Sequence, residues 1–288
     1  VPILVNLCKA AGISAQSILQ LCVAANTTMN HLFVGVDASP VRMEPYIPSF
    51  FSWNGLKAGD LKLPANPLAP VLIAPNIGSY VGGDITAGVF ASLIWNKPEF
   101  SLFIDLGTNG EIAFGNQDFL VSCACSAGPA FEGGDISCGM RATDGAIEAC
   151  VIDKDTMDPT FHIVGEAGQK PVGLCGSGII DTISELYRCG IINAKGLFVR
   201  DGARVARDRH GMGRYILAYA HESATEREIA LNEVDIDNFI RAKGAIFSAI
   251  ETLLNSVDMT VDMIDTVYVA GGIGSGINME NAVRIGML

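Results

Sequence analysis

Hydrophobic positions change period several times along the first third of the chain. Residues 1–12 carry them at helical spacing, and Ile18 to Ala25 is an apolar, strand-like run. That run closes on Asn26-Thr27-Thr28, where a polar side chain can cap a helix over Met29–Val34. From Ala38 to Pro70 the pattern dissolves among prolines and the aromatic residues Phe50, Phe51 and Trp53, which predicts a long irregular connection or insertion. Pro70 and Pro75 bracket a short buried strand, and the Gly82-Gly83 turn leads into a helix over Asp84–Trp95. On that helix Ala87, Gly88 and Ala91 share one nearly bare face. A similar face, Gly244, Ala245, Ser248 and Ala249, lies on a helix over Ile240–Leu254, and the two are expected to cross, as at a hinge.

Between these helices the period is two. Leu102–Leu106, Glu111–Phe114 and Phe119–Cys125 are three strands joined by Thr108-Asn109-Gly110 and by residues 115–118, which predicts an antiparallel meander. A glycine-rich region from Gly128 to Gly145 precedes a β-rich stretch to Val164, and Gly173–Gly178 opens a helix over Ile179–Cys189. Residues 195–235 hold most of the arginines and read as a peripheral excursion. Asp265–Ala270 is a buried strand that runs into Gly271-Gly272-Ile273-Gly274-Ser275-Gly276.

Composition narrows the function classes. The 288 residues, 49% of them hydrophobic, suffice for one large core or two modest ones. With 19 basic against 31 acidic residues the net charge is -12, which excludes a general nucleic-acid-binding surface. The mean hydropathy of +0.35 is high, yet no uninterrupted apolar run reaches the roughly 18 residues a membrane helix needs. Nor does the N-terminus read as a signal peptide. Val1-Pro2-Ile3 without a Met, and a closing helix that stops partway, suggest a piece of a longer chain. The 8 cysteines lack C-x-x-C spacing and suit reduced thiols in a cytoplasmic protein.

Four segments have the chemistry of a phosphate or nucleotide site. Asp105-Leu106-Gly107-Thr108-Asn109-Gly110-Glu111 puts an acid at the end of a buried strand, before a turn whose backbone N–H groups can face an anion. Asp105 is the candidate to hold Mg²⁺ through water, with Gly107, Thr108, Asn109 and Gly110 on phosphate; read alone, the segment fits an ordinary type I′ hairpin better. Gly271, Gly272 and Gly274 follow a strand and precede a helix, so a ring or phosphate can lie on their backbone. Their spacing is not G-x-G-x-x-G, and the meander disfavours a dinucleotide fold. Gly176 and Ser177 stand before a helix, where close helix–sheet packing explains them as well as phosphate does. Asp84 is either a helix cap or a group that orients an attacking water.

Taken in order, these elements resemble the parts of the actin-like ATPases, the superfamily of actin, hexokinase and the heat-shock chaperones. Asp84–Trp95 resembles the first connecting helix, Asp105–Glu111 the second phosphate loop, Asp237–Leu254 the second connecting helix and Tyr268–Gly276 the adenosine loop. The resemblance implies an α/β, ribonuclease H-like, two-lobed fold. Residues 1–98 would be an incomplete N-terminal lobe, since its first phosphate loop has no match, and residues 99–288 the C-terminal lobe. Ala25–Leu32, Ala74–Gly88, Ser126–Gly134, Cys138-Gly139-Met140-Arg141-Ala142 and Arg241-Ala242-Lys243 further resemble the reductive activators of corrinoid proteins over essentially the whole chain.

That family resemblance implies an ATPase that restores a Co(II) corrinoid to Co(I), with ATP and Mg²⁺ bound here. Its [2Fe–2S] or other iron–sulfur cluster is expected outside this stretch of chain. The implied partner is a corrinoid protein of a methyltransferase system, and a homodimer is compatible with it. Ala25 stands where the family generally has glycine, which is tolerable unless φ must be positive. Without the first phosphate loop, weak nucleotide binding and no hydrolysis are expected of this stretch alone. The rival readings are a small-molecule kinase of the same superfamily and a non-catalytic, nucleotide-switched binding module.

Overall fold

The computed structural model describes residues 2–107, 109–272 and 276–287. By contacts the chain divides into a unit of Val1–Phe103, Glu111–Ala124 and Ile264–Tyr268 and a unit of Ile104–Gly110, Cys125–Met263 and Val269–Leu288.

The first unit opens with helix α1 (Pro2–Ala11), strand β1 (Leu21–Val23) and helix α2 (Thr27–Val34). Asn26 caps α2 by accepting the Met29 N–H at 2.9 Å, so the helix starts at Thr27, ahead of the expected Met29. Ala25 is not among the positive-φ residues, so alanine fits there. A short helix α3 (Ser39–Arg42) lies within the irregular segment, strand β2 (Val71–Ile73) pairs parallel with β1, and helix α4 (Gly83–Ser92) follows. The segment is more than a surface connection, because Leu56, Ala58, Ala65 and Ala69 build a small core with Val71. His31 ties it down. Its buried ring has Nδ1 2.7 Å from the Thr27 carbonyl and accepts the Ser49 N–H at Nε2 (3.0 Å), a pairing that requires the neutral Nδ1–H form.

Helix α4 ends three residues before the expected Trp95. Leu93 adopts φ +61, and a 3₁₀ turn over Ile94–Asn96 follows. Gly88 is bare because the Phe103 ring lies where its Cβ would be. The small residue on α4 therefore serves packing on a strand.

Strands β3 (Ser101–Leu106), β4 (Gly110–Gly115) and β5 (Leu120–Cys125) form the expected meander. They are followed by β6 (Ala146–Ile152), β7 (Pro159–Ile163), β8 (Gly173–Leu174) and helix α5 (Gly176–Arg188). Then come β9 (Val205–Arg207), β10 (Gly213–Ala218), β11 (Ile229–Asn232), helix α6 (Glu233–Asn255), β12 (Thr266–Ala270) and helix α7 (Met279–Arg284). The sheet order is β12-β3-β4-β5; β6 lies between antiparallel β7 and parallel β8, and β10 between β9 and β11.

The arginine-rich stretch from 195 to 235 differs from the expected excursion. Strands β9 to β11 carry buried Tyr215, Leu217 and Leu231, and the Tyr215 hydroxyl donates to the Met157 carbonyl at 2.8 Å. Its arginines look peripheral in sequence because they pair at the surface, Arg204 with Asp158, Arg207 with Asp201 and Arg214 with Glu228. Helix α6 also starts earlier than expected. The Asn232 side chain accepts from the Asp235 N–H and Asp235 accepts from the Asn232 N–H, a capping box that sets the first turn at Glu233.

Helix α5 lies directly on β6, and a Cβ on Gly178 would collide with the Ile147 carbonyl. Gly178→Ala should therefore destabilise the second unit by about 1–3 kcal/mol through overpacking, read as a lower denaturant midpoint. Wild-type stability would show that the helix can lift without cost.

Candidate functional site

The site begins where β3 and β12 end side by side. Asp105 and Leu106 close β3, and Gly271, directly after β12, has φ +97. A Cβ there would lie 2.5 Å from the Leu106 carbonyl and 2.7 Å from Asp105 Oδ1, so only glycine lets the turn pass this close to the carboxylate. Beyond Asp105 the Gly107 N–H donates to the Asn109 carbonyl at 3.2 Å, and Gly110 starts β4 against Cys125. Glu132 reaches the same turn, its Oε1 being 3.6 Å from where a Gly107 Cβ would stand.

Gly176 and Ser177 form the first turn of α5 and, with Leu106, Gly272 and Gly276, line a cavity of about 330 Å³. That size suits a small ligand. The first-turn N–H groups of a helix favour an anion, and among the described residues a Cβ on Gly272 would meet no atom within 4 Å. The protein's own packing thus leaves this backbone bare toward open space. Asp105, Gly107, Asn109, Gly110, Gly176, Ser177, Gly271 and Gly272 all belong to the second unit. Asp84 belongs to the first, where its Oδ1 accepts the Ile85 N–H at 2.9 Å at the start of α4. Thr108 and Gly274 lie outside the described residues.

Three charged residues of the wall, Glu132, Arg141 and Glu148, are not among the expected site residues, although Glu132 and Arg141 lie in motifs that carry the family resemblance. The available signal was a glutamate and an arginine isolated within glycine-rich stretches; Glu148, inside β6, offered none. Glu148 sits 2.8 Å from His162 Nδ1.

A polar cluster ties α5, whose first turn lines the cavity, to α7. Asn281, on α7, donates to Asp181 at 2.7 Å and accepts from Ser184 at 3.1 Å and Arg284 at 2.7 Å. Glu185 accepts Arg188 Nε at 2.7 Å and the Ile152 N–H at 2.9 Å, and stands 3.5 Å from Arg284. Burial pushes the Asp181 carboxyl up. At Glu185 burial pushes the same way, but Arg188, the Ile152 N–H and Arg284 together hold it below the ordinary carboxylate range.

The cysteines give no cluster site. Among the described residues no group of three His, Cys, Asp or Glu side chains is placed to hold a metal. Burial, and after it Asp235, pushes the Cys138 thiol up to about 12, which disfavours the thiolate that ligation requires.

Residues 99–288 match the family model for the C-terminal domain of RACo, the ASKHA domain, and residues 2–97 match the RACo middle region. The chain is similar to the corrinoid activation enzyme RamQ of Eubacterium limosum, 34% identical over 99% of this chain and 49% of that protein. It is also similar to the Co(II) methylated amine-specific corrinoid protein reductase of Methanosarcina barkeri, 26% identical over 75% of this chain and 40% of that one. Among solved structures, a reductive activator for corrinoid, iron-sulfur protein superposes with a TM-score of 0.87 at 45% identity, covering 100% of this chain and 46% of the other. The chain spans about half the length of these relatives. No helix of the described residues is long and apolar enough to cross a membrane. With both regions matched and an actin-like ATPase fold, the chain belongs to the RACo family.

Proposed function

We propose that this chain is the nucleotide-binding body of an ATP-dependent activator that returns a corrinoid protein from Co(II) to Co(I). The observation that carries the reading is the cavity in which Gly272 exposes bare backbone beside the first turn of α5, next to the Asp105–Gly271 contact. Asp105 would hold Mg²⁺ through water, Gly107, Thr108, Asn109 and Gly110 would contact phosphate, Gly176 and Ser177 phosphate or ribose, and Gly271, Gly272 and Gly274 the adenosine. Mg²⁺ would supply positive charge that neutralises the polyphosphate. Asp84 is the candidate to orient water. In this reading residues 1–98 and 99–288 are the two lobes.

Reduction of Co(II) takes one electron from a low-potential donor, and nucleotide-dependent binding of the corrinoid protein is a sufficient lever on its potential. Each tenfold preference for the Co(I) form shifts a one-electron potential by about 59 mV, or ~1.4 kcal/mol. The thiols described here do not fit an iron–sulfur cluster, so no electron-transfer step is assigned to them. The names of the relatives support a corrinoid protein as partner. A methyltransferase system, a cytoplasmic location and a homodimer complete the proposal.

The test uses the full-length natural protein, a Co(II) corrinoid protein and a chemical reductant, with the visible spectrum followed for Co(I). Co(I) is expected only with MgATP. Its appearance at the same rate without nucleotide, or phosphorylation of a small molecule in its place, would overturn the proposal.

A further inference from the structure

Arg141 stands apart from the other charged groups around the cavity. Among the described residues lining it, Arg141 is the one cation, beside the carboxylates Glu132 and Glu148. Glu148 already faces His162, whereas the Arg141 guanidinium, among the described residues, makes no hydrogen bond or ion pair. Most buried or paired arginines of this unit are spoken for, Arg188 and Arg284 by Glu185 and Arg204 by Asp158 and Glu222.

The mount beneath Arg141 is rigid. The Met140 N–H donates to the Leu174 carbonyl and the Leu174 N–H to the Cys138 carbonyl, both at 2.8 Å. A Cβ on Gly139 would collide with the Gly133 carbonyl, and one on Gly133 would lie 2.6 Å from Met140 N, so two backbone segments touch with no room for a side chain. At the near end Ser137 is held by Asp235 of the α6 capping box, N–H to Oδ1 at 2.7 Å. Arg141 is exposed at the cavity wall, and a backbone this constrained, carrying a long cation without a partner among the described residues, has the character of a ligand contact.

We infer that Arg141 contacts the polyphosphate of the nucleotide, and that it is a binding residue distinct from the Asp105 turn. The inference rests on the cavity being the nucleotide site. Guanidinium pairs with phosphate oxygens through two parallel N–H donors, and here it would offset the two wall carboxylates, which otherwise repel an anion. The adenosine end of the ligand carries no charge, so Arg141 should separate ATP from adenosine.

The experiment compares binding of MgATP and of adenosine to the full-length protein and its Arg141→Gln and Arg141→Lys variants by calorimetry, alongside their melting temperatures. Arg141→Gln is expected to weaken MgATP by about 10- to 100-fold, with adenosine affinity and melting temperature unchanged and partial recovery in Arg141→Lys. Wild-type MgATP affinity in Arg141→Gln, or an equal loss for both ligands, would overturn the assignment while leaving the nucleotide site standing. Failure of the wild-type protein to bind either ligand would overturn the site itself and the assignment with it.

Discussion

Asp105→Ala is expected to lower MgATP turnover by the full-length protein by on the order of 100-fold or more, since the group would position charge directly at the transferring phosphoryl. The carboxylate ends a buried strand, and Gly271 lacks a side chain where its Oδ1 stands. Asp105→Asn keeps the shape and removes the charge, so it should lose nearly as much if the role is to hold Mg²⁺ through water. Steady-state ATPase assays over a magnesium series provide the check. Near-wild-type turnover in either variant would leave Asp105 as the end of a hairpin and no more.

The second large effect is on stability. Glu185→Ala should cost about 3–5 kcal/mol in denaturant unfolding, because it leaves Arg188 and Arg284 without the carboxylate they converge on. The pH dependence has a definite sign. The folded-state pKa of Glu185 lies below its ordinary value, so the stability it contributes is fully present above the unfolded carboxylate pKa of about 4.3. It is lost as pH falls through the lower folded value. The stability gap between wild type and Glu185→Gln should therefore be constant near neutral pH and close in acid. A gap that widened on acidification would contradict the ion-paired state.

The parts of the fold that were legible in the sequence are those with local causes. The meander followed from period-two runs and turn residues, the cap of α2 from the polar Asn26, and β12 as a strand before a glycine loop, although none of its residues is buried as expected and Val267 is exposed. A bare helix face says that something approaches closely and not what; at Gly88 it is Phe103. The strands of the arginine-rich stretch are hard to read because surface ion pairs dominate its composition, although Tyr215, Ile216, Leu217 and Ala218 form a consecutive buried run. At the candidate site, the glycine that lets β12 turn past Asp105, Gly271, was readable. Glu132, Arg141 and Glu148 were not, since their convergence is set by the packing of loops distant in sequence. The Asp181–Asn281 pair, 100 residues apart, is invisible to any local pattern for the same reason.

Cys150 lies under the seam between β6 and α5, and burial, despite a hydrogen bond with Thr182, pushes its thiol up to about 12. Only thiolate reacts with an alkylating agent, and so buried a thiol is almost wholly protonated at pH 7. Lifting the seam would return it to the ordinary thiol range near 8.5 and expose it to reagent. Cys22, already exposed, should be modified at once and serve as an internal reference. The lag between the two modifications is then a native clock for how often α5, whose first turn lines the cavity, parts from its sheet, and a bound ligand that closes the site should slow it.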